Sequence, residues 1–150
     1  MHSMLVKRID ALTRSRLVTV SADASLVDVA NLLCDTHISL VVVCDSDSAM
    51  VGVITKTNIV QQIGLSYASI GTTLASDVMT RNVTSCRPSD SLPDVLAKME
   101  KSRFVHIPVV DEHLKPTGVL NAGDALRTLM ADEKYEAALL RDYVMGIGYR

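Results

Sequence analysis

The sequence predicts an α+β fold: two pseudo-symmetric β-α-β-β-α repeats packed through their sheets, with flanking N- and C-terminal helices. Three observations predict it. The first is an internal repeat, in which residues 26–61 lie on residues 92–127 at a shift of 66 without a gap. Leu26/Leu92, Asp28/Asp94, Val29/Val95, Val43/Val109, Asp45/Asp111, Gly52/Gly118 and Val53/Val119 coincide, 7 identities in 36 positions, where unrelated segments give roughly two or three. With one residue inserted, Val18-Thr19 also meets Val83-Thr84. The second is that each copy alternates short β-branched runs with stretches of helical periodicity. The third is composition: 150 residues, 48% hydrophobic and 21% charged, which suits a folded chain whose copies are each too small to bury a core alone and so share one.

The elements follow in order. Met4–Leu12 places Leu5, Ile9 and Leu12 on one face and predicts an amphipathic helix. Leu17–Val20 and Asn82–Cys86 predict the first strand of each copy. Ser25 with Asp28, and Ser91 with Asp94, read as helix starts of capping-box type, with Asp in place of Glu. Leu26, Val29, Ala30 and Leu33, then Leu92, Val95, Leu96 and Met99, continue them at helical spacing, with Pro93 in a first turn where its missing N–H costs little. Leu40–Cys44 and Val105–Val110 read as buried strands. Polar turns at Asp45–Ser48 and Asp111–Lys115 lead to a third strand, Val51–Ile54 and Gly118–Leu120. A second helix starts near Thr55 and near Asn121. Gly71-Thr72-Thr73 reads as a turn, and Asp132–Tyr143 as a C-terminal helix with an apolar stripe. Met79, Met99 and Met130 read as core filler. The expected domains are an N-terminal helical segment (1–16), repeat 1 (17–66), a linker (67–81), repeat 2 (82–131) and a C-terminal helix and tail (132–150).

Charge and composition exclude several function classes. A net charge of −2 gives no clustered positive field for nucleic acid, and 3% aromatic residues give no stacking platform. The apolar runs are too short for membrane insertion, and the basic N-terminus lacks the apolar stretch of a secretory signal. Cys34, Cys44 and Cys86 form no CxxC pair, which points to a reducing, cytoplasmic setting. Cys34 and His37 share a helical face but lack two further ligands, so no metal site is predicted.

The candidate chemistry sits where the third strand meets the second helix. Copy one reads Gly52-Val53-Ile54-Thr55-Lys56-Thr57-Asn58 and copy two Gly118-Val119-Leu120-Asn121-Ala122-Gly123-Asp124. A helix N-terminus favours a phosphate, and a carboxylate at the third helical position can accept from a ribose diol. The same residues, Thr55/Asn58 and Asn121/Asp124, also suffice simply to cap two helices.

The duplicated unit, the segment Asp77-Val78-Met79-Thr80-Arg81-Asn82-Val83, the run His106-Ile107-Pro108-Val109-Val110-Asp111 and the two junctions together resemble a tandem pair of CBS domains, a Bateman module. The resemblance covers roughly residues 10–130. It implies a regulatory module rather than an enzyme, with no catalytic residues and no catalytic cofactor. An adenosine-containing ligand (AMP, ADP, ATP, NAD or S-adenosylmethionine) would bind between the copies, the chain would form a disc-like homodimer, and its state would pass to a regulated protein.

The family pattern at the junction is G-h-h-(S/T)-x-x-D, in which the hydroxyl meets phosphate and the Asp meets ribose. Copy one keeps Thr55 but has Asn58; copy two keeps Asp124 but has Asn121. By the resemblance, Ile107, Pro108 and Val41 face adenine, Val83 and Val18 cover a purine face, and Arg103 and His106 reach a phosphate. Copy one carries His37 and Leu40 in place of Arg103 and His106. Copy two is therefore expected to be the better site, and copy one weak, empty or phosphate-selective. The alternative is a ligand-independent dimerisation or scaffold module with degenerate clefts.

Overall fold

The repeat of 66 residues is written into the backbone as well as the side chains. The computed structural model describes residues 4–132. Left-handed φ angles at His37 (56°) and Ser48 (66°) recur at Arg103 (60°) and Leu114 (62°). A shift of strand register between Val43 and Cys44 recurs between Val109 and Val110.

In the first half, β1 (Thr19–Ser21) runs parallel to β2 (Leu40–Cys44), which pairs antiparallel with β3 (Met50–Thr55). Helix α2 (Leu26–Thr36) lies between β1 and β2, and α3 (Lys56–Ser66) follows β3; a short helix, α1 (Asp10–Ser15), precedes them. Helix α4 (Ala75–Val78) packs back on the first half, and in the second half α5 (Leu92–Ser102) leads to β4 (His106–Val110), β5 (Pro116–Asn121) and α6 (Ala122–Ala131). Ser25 and Ser91 cap α2 and α5 as the spacing predicts, each accepting from the N–H three residues on.

Val41, Val43, Ile54, Leu26, Val29 and Leu33 fill the first half, and Ile107, Val109, Leu120, Leu92, Met99 and Leu129 the second. Between the halves, Leu40, Val42 and Val53 pack on Val119. Each fully buried aliphatic side chain contributes about 1.5–3 kcal/mol, so this shared layer binds the copies to one another.

The connecting segments cross over. Leu5 bridges Ser91, Val6 N–H donates to Asp90 O (2.9 Å) and Leu92 N–H to Met4 O (2.8 Å), so the N-terminal segment completes the second half. Leu74 bridges Ser25, and Leu26 N–H donates to Thr73 O (2.9 Å), so the segment between the copies completes the first half.

Three expectations change. Met4–Leu12 is not one helix: Leu5 is extended, Val6–Ile9 is a 3-10 turn and α1 starts at Asp10, because Met4 and Val6 are drawn into the second core while Leu12 stays exposed. Asn82–Cys86 forms a single bridge, Cys86 to Val109, and not a strand. The reason is Pro108: in copy one Val42 donates its N–H to Val18 O (2.9 Å), and Pro108, at the matching place, has no N–H to give. Met130 is half exposed, unlike buried Met79 and Met99. The helix expected over Asp132–Tyr143 falls, but for Asp132 itself, outside the described residues; Asp132 closes α6 as its C-terminal cap.

Candidate functional site

The strand–helix junctions behave first as caps. Thr55 Oγ1 accepts from Asn58 N–H (3.4 Å), while Asn58 Oδ1 accepts from Thr55 N–H (2.8 Å) and from the Thr55 hydroxyl (3.0 Å). Asn121 Oδ1 accepts from Asp124 N–H (2.9 Å). Both glycines that precede them lie under tight backbone contacts: a Cβ on Gly52 would meet Met79 Sδ at 2.6 Å and Thr80 O at 2.8 Å, and one on Gly118 would meet Thr13 Oγ1 at 2.6 Å and Thr13 C at 2.8 Å. These contacts set α4 and its following residues on β3, and α1 on β5.

Beyond the caps the junctions diverge. At the first, a cavity of about 570 Å³ opens, a size that takes a small organic ligand. One side is Thr55, Asn58 and the first turn of α3, with Lys56. The other comes from the second copy: Asn82, Val83, Arg103, Phe104, His106, Ile107 and Pro108. Thr80 joins the halves, since it exchanges backbone hydrogen bonds with Val53 (2.9 and 3.0 Å) and its hydroxyl accepts from Asn58 Nδ2 (3.4 Å). None of the described residues lining this cavity is acidic, and Lys56 and Arg103 are cationic. The missing N–H of Pro108 keeps the Asn82–Thr84 stretch off the sheet and leaves the space open.

At the second junction the matching space shrinks to about 30 Å³, lined by Arg16, His37, Leu40 and His106 among others. Asp124 is only 4% exposed. Its Oδ2 accepts from Arg16 Nε (2.5 Å), and its Oδ1 from Arg16 Nη2 (3.1 Å) and Arg127 Nη2 (2.6 Å). Burial alone would push this carboxyl up, but the hydrogen bonds and charge of Arg16, aided by Arg127, outweigh it and hold Asp124 below the usual carboxylate range. Beside it, Asn121 Nδ2 donates to His106 Nε2 (3.0 Å). Burial, then the charge of Arg16, lowers the His106 pKa against the opposing pull of Asp124.

The expected site residues thus sort differently from the repeat. Ile107, Pro108, Val83 and Arg103 line one cavity with Thr55 and Asn58, across the copies, and His106 both lines that cavity and bonds Asn121. At the Asp124 junction, expected to be the better site, the carboxylate instead holds two guanidinium groups, Arg16 and Arg127. Val41 is fully buried in the first core with Val18 packed beside it. Sequence reasoning missed Arg16, Lys56, Thr80 and Phe104. Lys56 and Thr80 sit inside the motifs already singled out, whereas nothing local marks Arg16. Among the described residues no helix is long and apolar enough to cross a membrane.

Known proteins agree with this architecture. The chain is 25% identical, at a TM-score of 0.71 and covering 83% of this chain and 98% of the other, to a CBS-domain pair crystallised with 5′-methylthioadenosine and S-adenosyl-L-methionine. It is likewise 25% identical, at a TM-score of 0.73 and covering 85% and 96%, to a CBS-pair protein of Arabidopsis thaliana in complex with AMP. Among curated sequences it is 27% identical over 108 residues to a homoserine O-acetyltransferase of Methanosalsum zhilinae, covering 72% of this chain and 21% of that one. The chain spans only about a fifth to a quarter of the length of such relatives. The sequence profile of the CBS domain matches twice, at residues 6–64 and 75–131. With two profile matches on two halves related by one repeat, the chain belongs to the CBS-domain family and is a tandem CBS pair.

Proposed function

We propose that this CBS pair is a regulatory module that binds one phosphate-bearing adenosine ligand (AMP, ADP or ATP) in the cavity between Asn58 and Ile107, and passes its occupancy to a regulated protein. The observation that carries this reading is the cavity's wall: apolar Val83, Phe104 and Ile107 on one side, with Lys56, Arg103 and the N-terminus of α3 beside them and no carboxylate among the described lining residues. Such a wall suits a base and an anion together, and suits a cationic sulfonium such as S-adenosylmethionine less well. The two CBS pairs crystallised with AMP or with S-adenosylmethionine support an adenosine ligand in general. Binding would act by favouring one arrangement of the two halves.

A homodimer is part of this reading. Val60, Ile63, Leu65 and Tyr67 on and after α3, and Leu126 and Met130 on α6, leave apolar surface exposed. The three cysteines are free, in keeping with a reducing cytoplasm. The second reading, a scaffold without ligand, draws on the closed state of the Asp124 junction.

A thermal-shift panel with AMP, ADP, ATP, NAD and S-adenosylmethionine separates the two. A ligand at a hundred times its Kd adds about 2.7 kcal/mol, or about 5–10 °C for a chain of this size. The expected order places the adenine nucleotides first, with the shift reduced in Arg103→Ala. Silence across the whole panel would leave the scaffold reading standing.

A further inference from the structure

Repeat symmetry gives Arg16 a counterpart. The folded halves keep the shift of 66 here, since the pairing of Val20 with Val43 recurs as Cys86 with Val109, so Arg16 falls on Asn82. The two side chains have opposite fates. Asn82, short and uncharged, lines the cavity beside Asn58, which stays open. Arg16 turns inward and grips both oxygens of buried Asp124 through Nε and Nη2. Both halves of the contact differ, since a carboxylate accepts a forked guanidinium pair, whereas Asn58 and Asn82 supply neither the carboxylate nor the guanidinium.

We propose that Arg16 is a built-in occupant of the second junction, and that this side chain fixes the stoichiometry of the pair at one ligand per chain rather than two. The proposal rests on the reading of the open cavity as a ligand site. Three observations carry it: the matched spaces between the copies hold about 570 and 30 Å³, both Asp124 oxygens are engaged by protein donors, and Arg16 itself lines the smaller space, apart from the cavity of about 860 Å³ that Asp124 and Arg127 border on the Met4 side. Arg16 belongs to the N-terminal segment that crosses to the second half, so a ligand entering there must first displace that segment's last side chain. The class of ligand able to do so offers hydrogen-bond donors to Asp124 in place of the guanidinium, as a vicinal diol does.

The test is equilibrium dialysis with radiolabelled AMP on the full chain, wild type against Arg16→Ala, with Arg16→Gln as the second variant should the first not fold. The expected result is one AMP per wild-type chain and two per variant chain. One AMP for both proteins, or two for wild type, overturns the role of Arg16 while leaving the open-cavity reading intact. None for wild type and one for the variant supports the role of Arg16 and overturns the open-cavity reading. Binding to neither overturns both.

Discussion

Removing the Asp124 carboxylate should cost this chain stability in a way that depends on Arg16. The carboxylate accepts two hydrogen bonds from Arg16 and one from Arg127. Charge-assisted bonds contribute about 1.5–3 kcal/mol each when buried, but Arg16 is 39% exposed and Arg127 71% exposed, so solvent screens both. After that discount the Arg16 pair should be worth about 1–2 kcal/mol and the Arg127 pair under about 0.5 kcal/mol. The favourable position of an anion in the first turn of α6 adds about 0.3–1 kcal/mol. Asp124→Ala should therefore destabilise by about 2–3 kcal/mol, lowering the Tm by about 4–10 °C.

The assay is urea denaturation of wild type, Asp124→Ala, Arg16→Ala and the double variant at pH 7, read as a coupling energy. The expected coupling is about 1–2 kcal/mol. Acid provides the sign. A carboxyl held below its ordinary value stabilises the fold fully above the unfolded pKa, about 3.9, and that contribution fades as pH falls through the lower folded value. The coupling should accordingly shrink in acid and not in alkali. A coupling of zero at pH 7 would refute the account of how the second junction is closed.

Other predictions follow from the same geometry. Gly118→Ala should destabilise by about 1–3 kcal/mol, measured by thermal melting, because the added methyl meets the backbone of Thr13; unchanged melting would show that α1 can shift freely. Arg103 holds a left-handed φ of 60° at the end of α5, where its N–H donates to Glu100 O and Phe104 N–H to Met99 O. Arg103→Gly should raise stability by about 0.5–1 kcal/mol while weakening nucleotide binding by calorimetry, and a fall in both would disprove the strain argument. His106, lowered by burial and by Arg16, binds fewer protons folded than unfolded, so stability should fall as pH drops through about 6.5; His106→Gln should flatten that slope. Burial, with the charge of Asp90, pushes the Cys86 thiol up to about 12, so a thiol reagent at pH 8 should label exposed Cys34 in the native protein and Cys86 only after unfolding.

The elements were legible where local chemistry decides them. Leu40–Cys44 stands as read because five successive apolar and β-branched residues bounded by a polar turn leave few alternatives. The caps at Ser25, Thr55, Ser91 and Asn121 are set by residues three apart. The Asn82–Cys86 strand was misread because its fate is decided by Pro108, in a different segment. The grouping of the candidate site residues depends on distant segments in the same way. Reading each copy by itself groups Asp124 with Ile107, whereas the packed halves set Asn58 against Ile107 and leave Asp124 to an arginine 108 residues away. A pairing of that span leaves no periodicity to detect.

The exchange of leading segments has a consequence for how the chain is made. Met4 and Leu5 are made well over eighty residues before their partners Ser91 and Leu92, so they stay undocked until the later half appears. It also means that a protease nick in the bridge between the copies should not release two independent pieces. Each fragment would keep hold of the other through the core layer around Val119, and separately expressed fragments should reassemble on mixing.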